Sequence, residues 1–264
     1  MRKVFLLFIF FIISNLAYAD FRYDFIGVVE KSLNSDDMVA RLMFKSESSD
    51  KFESFSTNPD ADFKKEYNKY PERLSSYYFD KDGLIKKSLK VGKPYDYKNA
   101  SDVGTYKANT NDDGLYLLLN SRKPEILKFK PIKPSLNFDE LLSKNEELKN
   151  VIAPLIEKQE TEYSNEILSY KIANRSFEII ILNFKFFEKE NNKNLIFAFI
   201  KDQEELKKAF YYENLDYINL IYAMDFYNNS NIKLLLKGEN DKNVLYSLFD
   251  LKTNKTESFI YAKP

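Results

Sequence analysis

Apolar residues along this chain recur in short runs with a two-residue period, and polar turns separate the runs. Such alternation is typical of half-buried β-strands. The runs of the first half that predict strands are Phe25–Val29, Met38–Phe44, Leu74–Phe79, Leu84–Val91, Thr105–Asn109 and Leu115–Leu119. The polar stretch Ser46–Asp62 predicts a long loop, and Phe63, Tyr67 and Tyr70 are spaced for a short helix that ends before Pro71.

Two of the polar turns end in Asp-Gly. The segments Asp80–Gly83 and Asn111–Gly114 each lie between two apolar runs. Because glycine adopts positive φ without steric cost, this pattern is a strong hairpin signal. The sequence therefore predicts that the two runs beside each turn pair with each other.

The second half begins with helical signals. Asn137 is followed three residues later by Glu140, which is a capping-box pattern. A second helix is predicted over Val151–Lys158, with Pro154 in its first turn.

A third short helix and a series of strands follow. Asp202 and Glu205 are expected to open the helix, with Leu206 and Phe210 on one face. The predicted strands are Ile167–Ile172, Phe177–Phe187 paired with Leu195–Ile200, Tyr217–Phe226, Ile232–Leu236, Val244–Phe249 and Ser258–Tyr261.

These elements predict a β-rich α+β protein of antiparallel hairpins and sheet with a few short helices. Residues 122–135 are rich in proline and basic residues, which predicts an extended connector. The expected organisation is a signal peptide at 1–19, an N-terminal β-rich domain at 20–121 and a C-terminal α+β domain at 136–264. The alternative is one continuous domain in which the proline-rich segment lies along an edge.

The N-terminus has the pattern of a cleaved export signal. Arg2 and Lys3 precede the apolar run Val4–Ile13, and Ala17 and Ala19 form a small-x-small cleavage site. The run is too short for a helix to cross a hydrocarbon core about 30 Å thick. We therefore expect cleavage after Ala19 and release of a soluble protein to the periplasm or the cell exterior.

The chain has no histidine, cysteine or tryptophan. Without cysteine there is no disulfide, no lipid-acceptor thiol and no thiol nucleophile. Without histidine the usual catalytic base and the conventional zinc site are also missing. Codon bias towards Lys, Asn, Ile, Phe and Tyr explains why these residues are absent. The chemical consequences of their absence hold whatever its origin. The sequence predicts no cofactor and no metal site.

The charges balance, with 40 basic and 40 acidic residues. This balance argues against a nucleic-acid partner. Arginine is the usual residue for bidentate recognition of carboxylate or phosphate, and the sequence gives such recognition no support. The arginines after the signal are Arg22, Arg41, Arg73, Arg122 and Arg175.

One segment resembles a degenerate FG-GAP/VCBS-type β-repeat. It consists of Ile221–Asp225, a polar turn, Ile232–Leu236 and Val244–Ser247. Repeats of that family place an Asp-rich calcium loop after a strand, and several repeats form propeller blades. Here only Asp225 matches an acidic position, so the resemblance implies neither calcium nor a propeller. An ordinary hairpin is the alternative.

Carboxylates at the two Asp-Gly turns are a possible calcium site. They are Asp80 and Asp82 in the first turn, and Asp112 and Asp113 in the second. An EF-hand-type loop needs more ligands and a distal bidentate glutamate. Ordinary turn chemistry is therefore favoured.

Two kinds of catalysis survive the loss of histidine. A glycoside hydrolase needs only two carboxylates, but the sequence does not single out a pair, and the cluster Glu157, Glu160 and Glu162 is typical of a solvated helix end. The Ser-x-x-Lys spacing occurs at Ser48–Lys51 and Ser230–Lys233, without the helix or the Lys-Thr-Gly partner that such enzymes use. The catalytic residues, if any, remain unknown.

Adjacent aromatic residues occur at Tyr77–Tyr78, Phe186–Phe187 and Tyr211–Tyr212. Neighbours on a strand point to opposite faces, so at least one of Tyr77 and Tyr78 is expected to meet a second layer of structure. A tyrosine platform for sugar or peptide is the alternative. The glycosylation triplets at Asn99, Asn174, Asn228 and Asn254 are interpreted as chance.

Together these features predict an exported, non-catalytic binding or interaction protein. The expected partners are proteins, peptides or glycans of the cell envelope, contacted through edge strands and aromatic patches. The alternative is a carboxylate-dependent glycan hydrolase.

Overall fold

The computed structural model describes most of the chain after the N-terminal segment. The described residues are 24–31, 36–46, 51–54, 75–80, 83–86, 89–94, 105–110, 112–119, 123–157, 162–187, 192–226 and 231–263. Within them the protein is β-rich, with antiparallel sheets and two short helices, as the hydrophobic pattern predicts. Neither of these helices has the length and apolar character that a membrane span requires. The predicted signal peptide and the helix predicted near Phe63 lie outside the described residues.

The chain divides into two compact units, Met1–Lys123 and Pro124–Lys263. The strands described in the first unit are β1 (Asp24–Lys31), β2 (Met38–Ser46), β3 (Phe52–Ser54), β4 (Ser75–Asp80), β5 (Gly83–Lys86), β6 (Lys90–Pro94), β7 (Thr105–Asn109) and β8 (Gly114–Leu119). They form one sheet in the order β5-β4-β8-β1-β2-β7-β6, with β3 added to β2. Val29, Ala40 and Tyr116 form a buried cluster on its central strands.

One of the two predicted hairpins is confirmed and the other is wrong. Strands β4 and β5 pair across the first Asp-Gly turn. The second turn joins β7 to β8, but these strands do not pair, because β7 pairs with β2 and β8 pairs with β1 and β4. The second Asp-Gly pair therefore predicts only that the chain turns. The partners of β8 depend on where its apolar residues can be buried.

Gly114 remains essential at this second turn. Its φ is 133°, a backbone conformation that residues other than glycine rarely adopt. A Cβ at this position would lie 2.7 Å from the Tyr78 ring. Tyr78 packs edge-on against Tyr116, with ring centroids 5.4 Å apart. The turn glycine therefore provides the space that the Tyr78 ring occupies.

The second unit contains two helices and two sheets. Its elements are β9 (Glu125–Leu127), β10 (Phe129–Ile132), α1 (Phe138–Lys144), α2 (Glu146–Ile156), β11 (Glu162–Ile172), β12 (Glu178–Phe187), β13 (Asn192–Asp202), β14 (Glu205–Glu213), β15 (Tyr217–Phe226), β16 (Asn231–Glu239), β17 (Asn243–Asp250) and β18 (Lys255–Ala262). The central sheet has the order β10-β11-β12-β13-β14. The C-terminal sheet has the order β18-β17-β16-β15-β9.

The central sheet is buried on both faces. Ile179 and Ile181 belong to a core shared with the C-terminal sheet, whereas Ile180 and Leu182 belong to a core that includes residues of the helices. A strand that is buried on both faces is apolar at nearly every position, and β12 has the sequence EIIILNFKFF. The unit therefore has three layers: helices, central sheet and C-terminal sheet.

Helix α1 begins as predicted, and α2 does not. The Asn137 side chain accepts a hydrogen bond from the Glu140 N–H, and the Glu140 side chain accepts one from the Asn137 N–H, which completes the capping box. Helix α2 starts at Glu146, because the Asn145 side chain caps it by accepting from the Leu148 N–H. Pro154 therefore lies near the end of α2 rather than in its first turn. Its ring nitrogen donates no hydrogen bond, and the helix ends at Ile156.

The helix predicted around Leu206 and Phe210 is wrong, because these residues lie on strand β14. The pairing with β13 shifts register between Ala198 and Phe199, which leaves Ala209 as the extra residue of a β-bulge. The bulge turns Leu206 towards the helix-covered core and Phe210 towards the core between the sheets. The four-residue spacing alone does not distinguish a helix from a strand, because residues four apart share a face in both.

The proline-rich segment expected as a connector contributes two short strands. Strand β9 pairs with β15 at the edge of the C-terminal sheet, and β10 pairs with β11 at the edge of the central sheet. Pro131 lies within β10, where an edge position leaves its missing N–H without a required partner. Leu127 is buried in the core between the sheets.

A charged cluster near the C-terminus should make the stability of the second unit dependent on pH. Hydrogen bonds from Lys237, at 2.6 Å, and Lys263, at 3.0 Å, lower the pKa of Glu239 from 4.5 to about 2. A carboxylate with a lowered pKa stabilises the fold above its unfolded pKa and loses that contribution as the pH falls through the folded value.

We expect Glu239→Gln to destabilise the protein above pH 4.5, and the difference from the wild type should shrink as the pH falls towards 2. Urea unfolding of both proteins across this range measures the effect. Lys263→Ala, which removes one of the two donors, should give a smaller change of the same sign. A difference that stays constant with pH would contradict the assignment.

Candidate functional site

The described part of the second unit contains a cleft of about 610 Å³ at one end of its two packed sheets. Three turns border the cleft, β11–β12, β13–β14 and β17–β18, together with the start of β16. We call it the turn-end cleft. Its lining residues are Asn174, Arg175, Ser176, Phe177, Ile200, Asp202, Glu205, Lys207, Ile232, Leu251, Lys252 and Asn254.

The floor of the turn-end cleft is apolar. Ile200 and Ile232 are buried members of the core between the sheets, and Phe177 and Leu251 pack against that core while remaining partly exposed. The floor is thus the uncovered end of the core. Pockets for small ligands combine such an apolar surface with a few polar groups.

The turns that carry the polar rim have a fixed backbone geometry. Asn174 and Asn254 have φ values of 62° and 55°, a left-handed conformation that asparagine tolerates better than most residues. In the β17–β18 turn, Asp250 Oδ1 accepts from the N–H groups of Lys252, at 2.8 Å, and Thr253, at 3.1 Å. Local hydrogen bonds and residue type therefore shape the rim without a ligand.

An ion pair joins the two sheets at the cleft. An Arg175 nitrogen donates to Asp225 Oδ2 at 3.1 Å, and the two side chains are 30% and 4% exposed. Asp225 Oδ1 accepts no hydrogen bond from the described residues. The buried carboxylate holds the guanidinium of Arg175, a residue that lines the cleft and whose side chain makes no other hydrogen bond to the described residues.

Two carboxylates also line the turn-end cleft. Asp202 and Glu205 are cross-strand partners in the tight β13–β14 turn. Partners of this kind have Cβ atoms about 4.5–5.5 Å apart. Asp202 accepts a hydrogen bond from Ser176 at 3.1 Å, and Glu205 pairs with Lys207 at 3.1 Å. Both acids are exposed to solvent.

The sequence did not single out these residues as one site. In the sequence Arg175 stands out only as one of few arginines, and Asn174 and Asn254 only as the first residues of glycosylation triplets. A polar break in an apolar pattern predicts that the chain turns there. It does not predict which other turns lie nearby in the folded protein. Their proximity depends on the packing of two sheets.

The candidate nucleophile pairs do not form a described site. Ser48 and Ser230 lie outside the described residues. Lys51 is exposed and pairs with Glu53 at 2.6 Å. Lys233 is buried and donates to Asp250 and to Asn231, the latter at 3.3 Å. An ammonium that is bound to a carboxylate in this way is poorly placed to act as a base.

The acidic turns and clusters have local roles where they are described. The Asp112 N–H donates to Thr110 Oγ1 at 3.1 Å, which is ordinary turn chemistry. Asp82 and Glu160 lie outside the described residues, as do Asn99 and Asn228. Glu157 caps the end of α2, and Glu162 is exposed on β11. Among the described residues, no group of three or more carboxylates is placed to hold a metal ion.

The two later pairs of adjacent aromatic residues lie on strands, and the members of each pair point to opposite faces. Phe186 is buried, whereas Phe187 is 41% exposed. Tyr211 packs on Phe197 in the helix-covered core. Burial is the main cause that raises the pKa of Tyr211, and its hydrogen bond to Glu213 is the second. The Tyr212 hydroxyl bonds to Ser247 between the sheets, at 2.7 Å.

The first tyrosine pair has structural contacts on both members. Tyr78 packs on Tyr116, and the Lys123 ammonium lies 5.4 Å from the centre of the Tyr77 ring. The tyrosines of both pairs thus have protein contacts. These contacts favour packing over an open tyrosine platform.

We expect loss of Arg175 alone to destabilise the protein more than loss of both charges of the ion pair. Arg175→Met should lower the free energy of unfolding by about 3 kcal/mol, because it leaves the buried Asp225 charge without a partner. Asp225→Asn in the same background should recover part of this loss. Lys252→Met is a matched control on the same rim, and its effect should stay within about 0.5 kcal/mol. Equal losses in the single and double variants, measured by urea unfolding, would show that the pair does not carry the stability.

Comparisons with known proteins identify no relative of this chain. No family model matches the chain, and neither the curated proteins nor the solved structures include a significant match. The segment that resembles an FG-GAP/VCBS-type repeat forms consecutive antiparallel strands β15, β16 and β17. Its single matching acid, Asp225, is bound to Arg175.

Proposed function

We propose that this chain is an exported, non-catalytic binding protein whose ligand occupies the turn-end cleft. The observation that carries the proposal is the cleft itself, which has a volume of about 610 Å³ and an apolar floor surrounded by polar side chains on turns of fixed backbone geometry. A volume in this range suits a small ligand or the end of a longer one. The proposed partners are peptides, glycans or proteins of the cell envelope.

The proposed location rests on the N-terminal pattern. A basic start, the apolar run Val4–Ile13 and the small residues Ala17 and Ala19 support export and cleavage after Ala19. The protein would then act in the periplasm or outside the cell.

The exported form should begin at Asp20. We expect the protein recovered from the periplasm or medium of a bacterial host to have the intact mass of residues 20–264. Ala19→Arg, which places a large charged residue at the cleavage site, should leave the precursor uncleaved. Recovery of the uncleaved wild-type chain in the cytoplasm would contradict export.

The carboxylate-dependent glycan hydrolase remains the second candidate, because Asp202 and Glu205 line the same cleft as neighbours. Their exposure weighs against it, since the proton donor of a glycosidase is a carboxylic acid in a desolvated pocket. Release of reducing ends from an oligosaccharide by the wild type, and its loss in Glu205→Gln, would favour the hydrolase.

Ligand binding in the cleft can be tested with a small-molecule fraction. We expect an ultrafiltered periplasmic extract to shift backbone amide resonances of the mature protein in the three turns that border the cleft. Ser176→Trp fills the rim and should abolish these shifts. Ser164→Trp, the same change at an exposed position of β11, is the matched control. Identical shifts in wild type and Ser176→Trp would place the binding elsewhere, and no shifts at all would refute the proposal.

A further inference from the structure

We infer that the turn-end cleft takes a polyhydroxylated ligand, a short neutral oligosaccharide, and this inference rests on the proposed binding function. It is carried by the combination of groups on the rim. Arg175 supplies fixed donors, Asp202 and Glu205 supply acceptors, and the amides of Asn174 and Asn254 supply both.

The mixture of donors and acceptors matches hydroxyl groups. Each hydroxyl donates one hydrogen bond and accepts others, so a sugar needs both kinds of partner within reach. A ligand that carried a single charge would instead require an excess of the opposite charge. The lining has three cations and two carboxylates, and the buried Asp225 neutralises one of the cations, Arg175.

The polar groups are held in place before a ligand arrives. Asp225 fixes the Arg175 guanidinium, and the Ser176 hydroxyl holds Asp202. The two asparagines lie on turns of set geometry, with φ values near 60°. Preorganisation lowers the entropy cost of binding, which matters for a sugar because each of its hydrogen bonds replaces one to water.

The apolar floor provides the second half of the recognition. A sugar ring presents C–H groups on its faces, and these pack against aromatic and aliphatic side chains. Phe177 is partly exposed at the floor, beside the buried Ile200 and Ile232. The cleft thus offers an apolar surface beneath a rim of paired donors and acceptors.

Titration of the mature protein with defined probes tests the ligand class. The probes are a neutral N-acetylglucosamine trimer, a neutral glucose trimer and phenylacetate, an apolar anion. We expect at least one trimer to shift the amides of the three turns and phenylacetate to leave them unchanged. Binding of phenylacetate without either trimer would overturn the inference in favour of anion recognition by Arg175.

Variants of one turn sharpen the test. Glu205→Ala should weaken trimer binding by about tenfold or more, because it removes a charged acceptor. Glu204→Ala is the matched control, since Glu204 is exposed on the same turn, does not line the cleft and pairs with Lys144 at 3.5 Å. Phe177→Leu should also weaken binding while it preserves an apolar core residue. Equal affinities in wild type, Glu205→Ala and Phe177→Leu would overturn the site.

The extract experiment separates this inference from the proposed function. If the extract shifts the cleft resonances and neither trimer does so, the sugar class is wrong and the binding function stands. If neither the extract nor any probe shifts them, both are wrong.

Discussion

The two-sided burial of the central sheet determines how the second unit is built. Strands β12 and β13 present apolar side chains alternately to the helices and to the C-terminal sheet, so each layer covers a surface that would otherwise face water. At about 25 cal/mol for each Å² of apolar area, this burial is the main favourable contribution to the fold. The other elements are arranged to cover those two faces.

The turn-end cleft follows from that arrangement. Two packed sheets bury their facing side chains along most of their length, but the core must end where the strands turn back. At this end Phe177 and Leu251 are partly exposed beside the buried Ile200 and Ile232, and the turns add charged and amide groups around them. The Arg175–Asp225 ion pair connects the two sheets at the same place. Arg175 therefore belongs both to this ion pair and to the lining of the cleft.

The two wrong predictions, the second hairpin and the helix around Leu206 and Phe210, have a common physical cause. Strand β8 finds its partners β1 and β4 rather than the adjacent run, because burial of its apolar residues outweighs the local preference of an Asp-Gly turn. On β14, Leu206 and Phe210 have a spacing that fits one face of a helix, but pairing with β13 makes the segment a strand, and the bulge at Ala209 places the two side chains in different cores. In both cases the local spacing fits more than one structure, and the pairing of strands decides between them.

The sequence by itself determined the β-rich class, the first hairpin, the capping box at Asn137 and the alternation of adjacent aromatic residues, because these depend on neighbours within a few positions. The absence of histidine and cysteine likewise limits the available chemistry without reference to a fold. Only the tertiary structure decided which strands pair and which turns meet. Arg175 and Asp225 are fifty positions apart in the chain, and the packing of two sheets brings them into one ion pair beside the cleft.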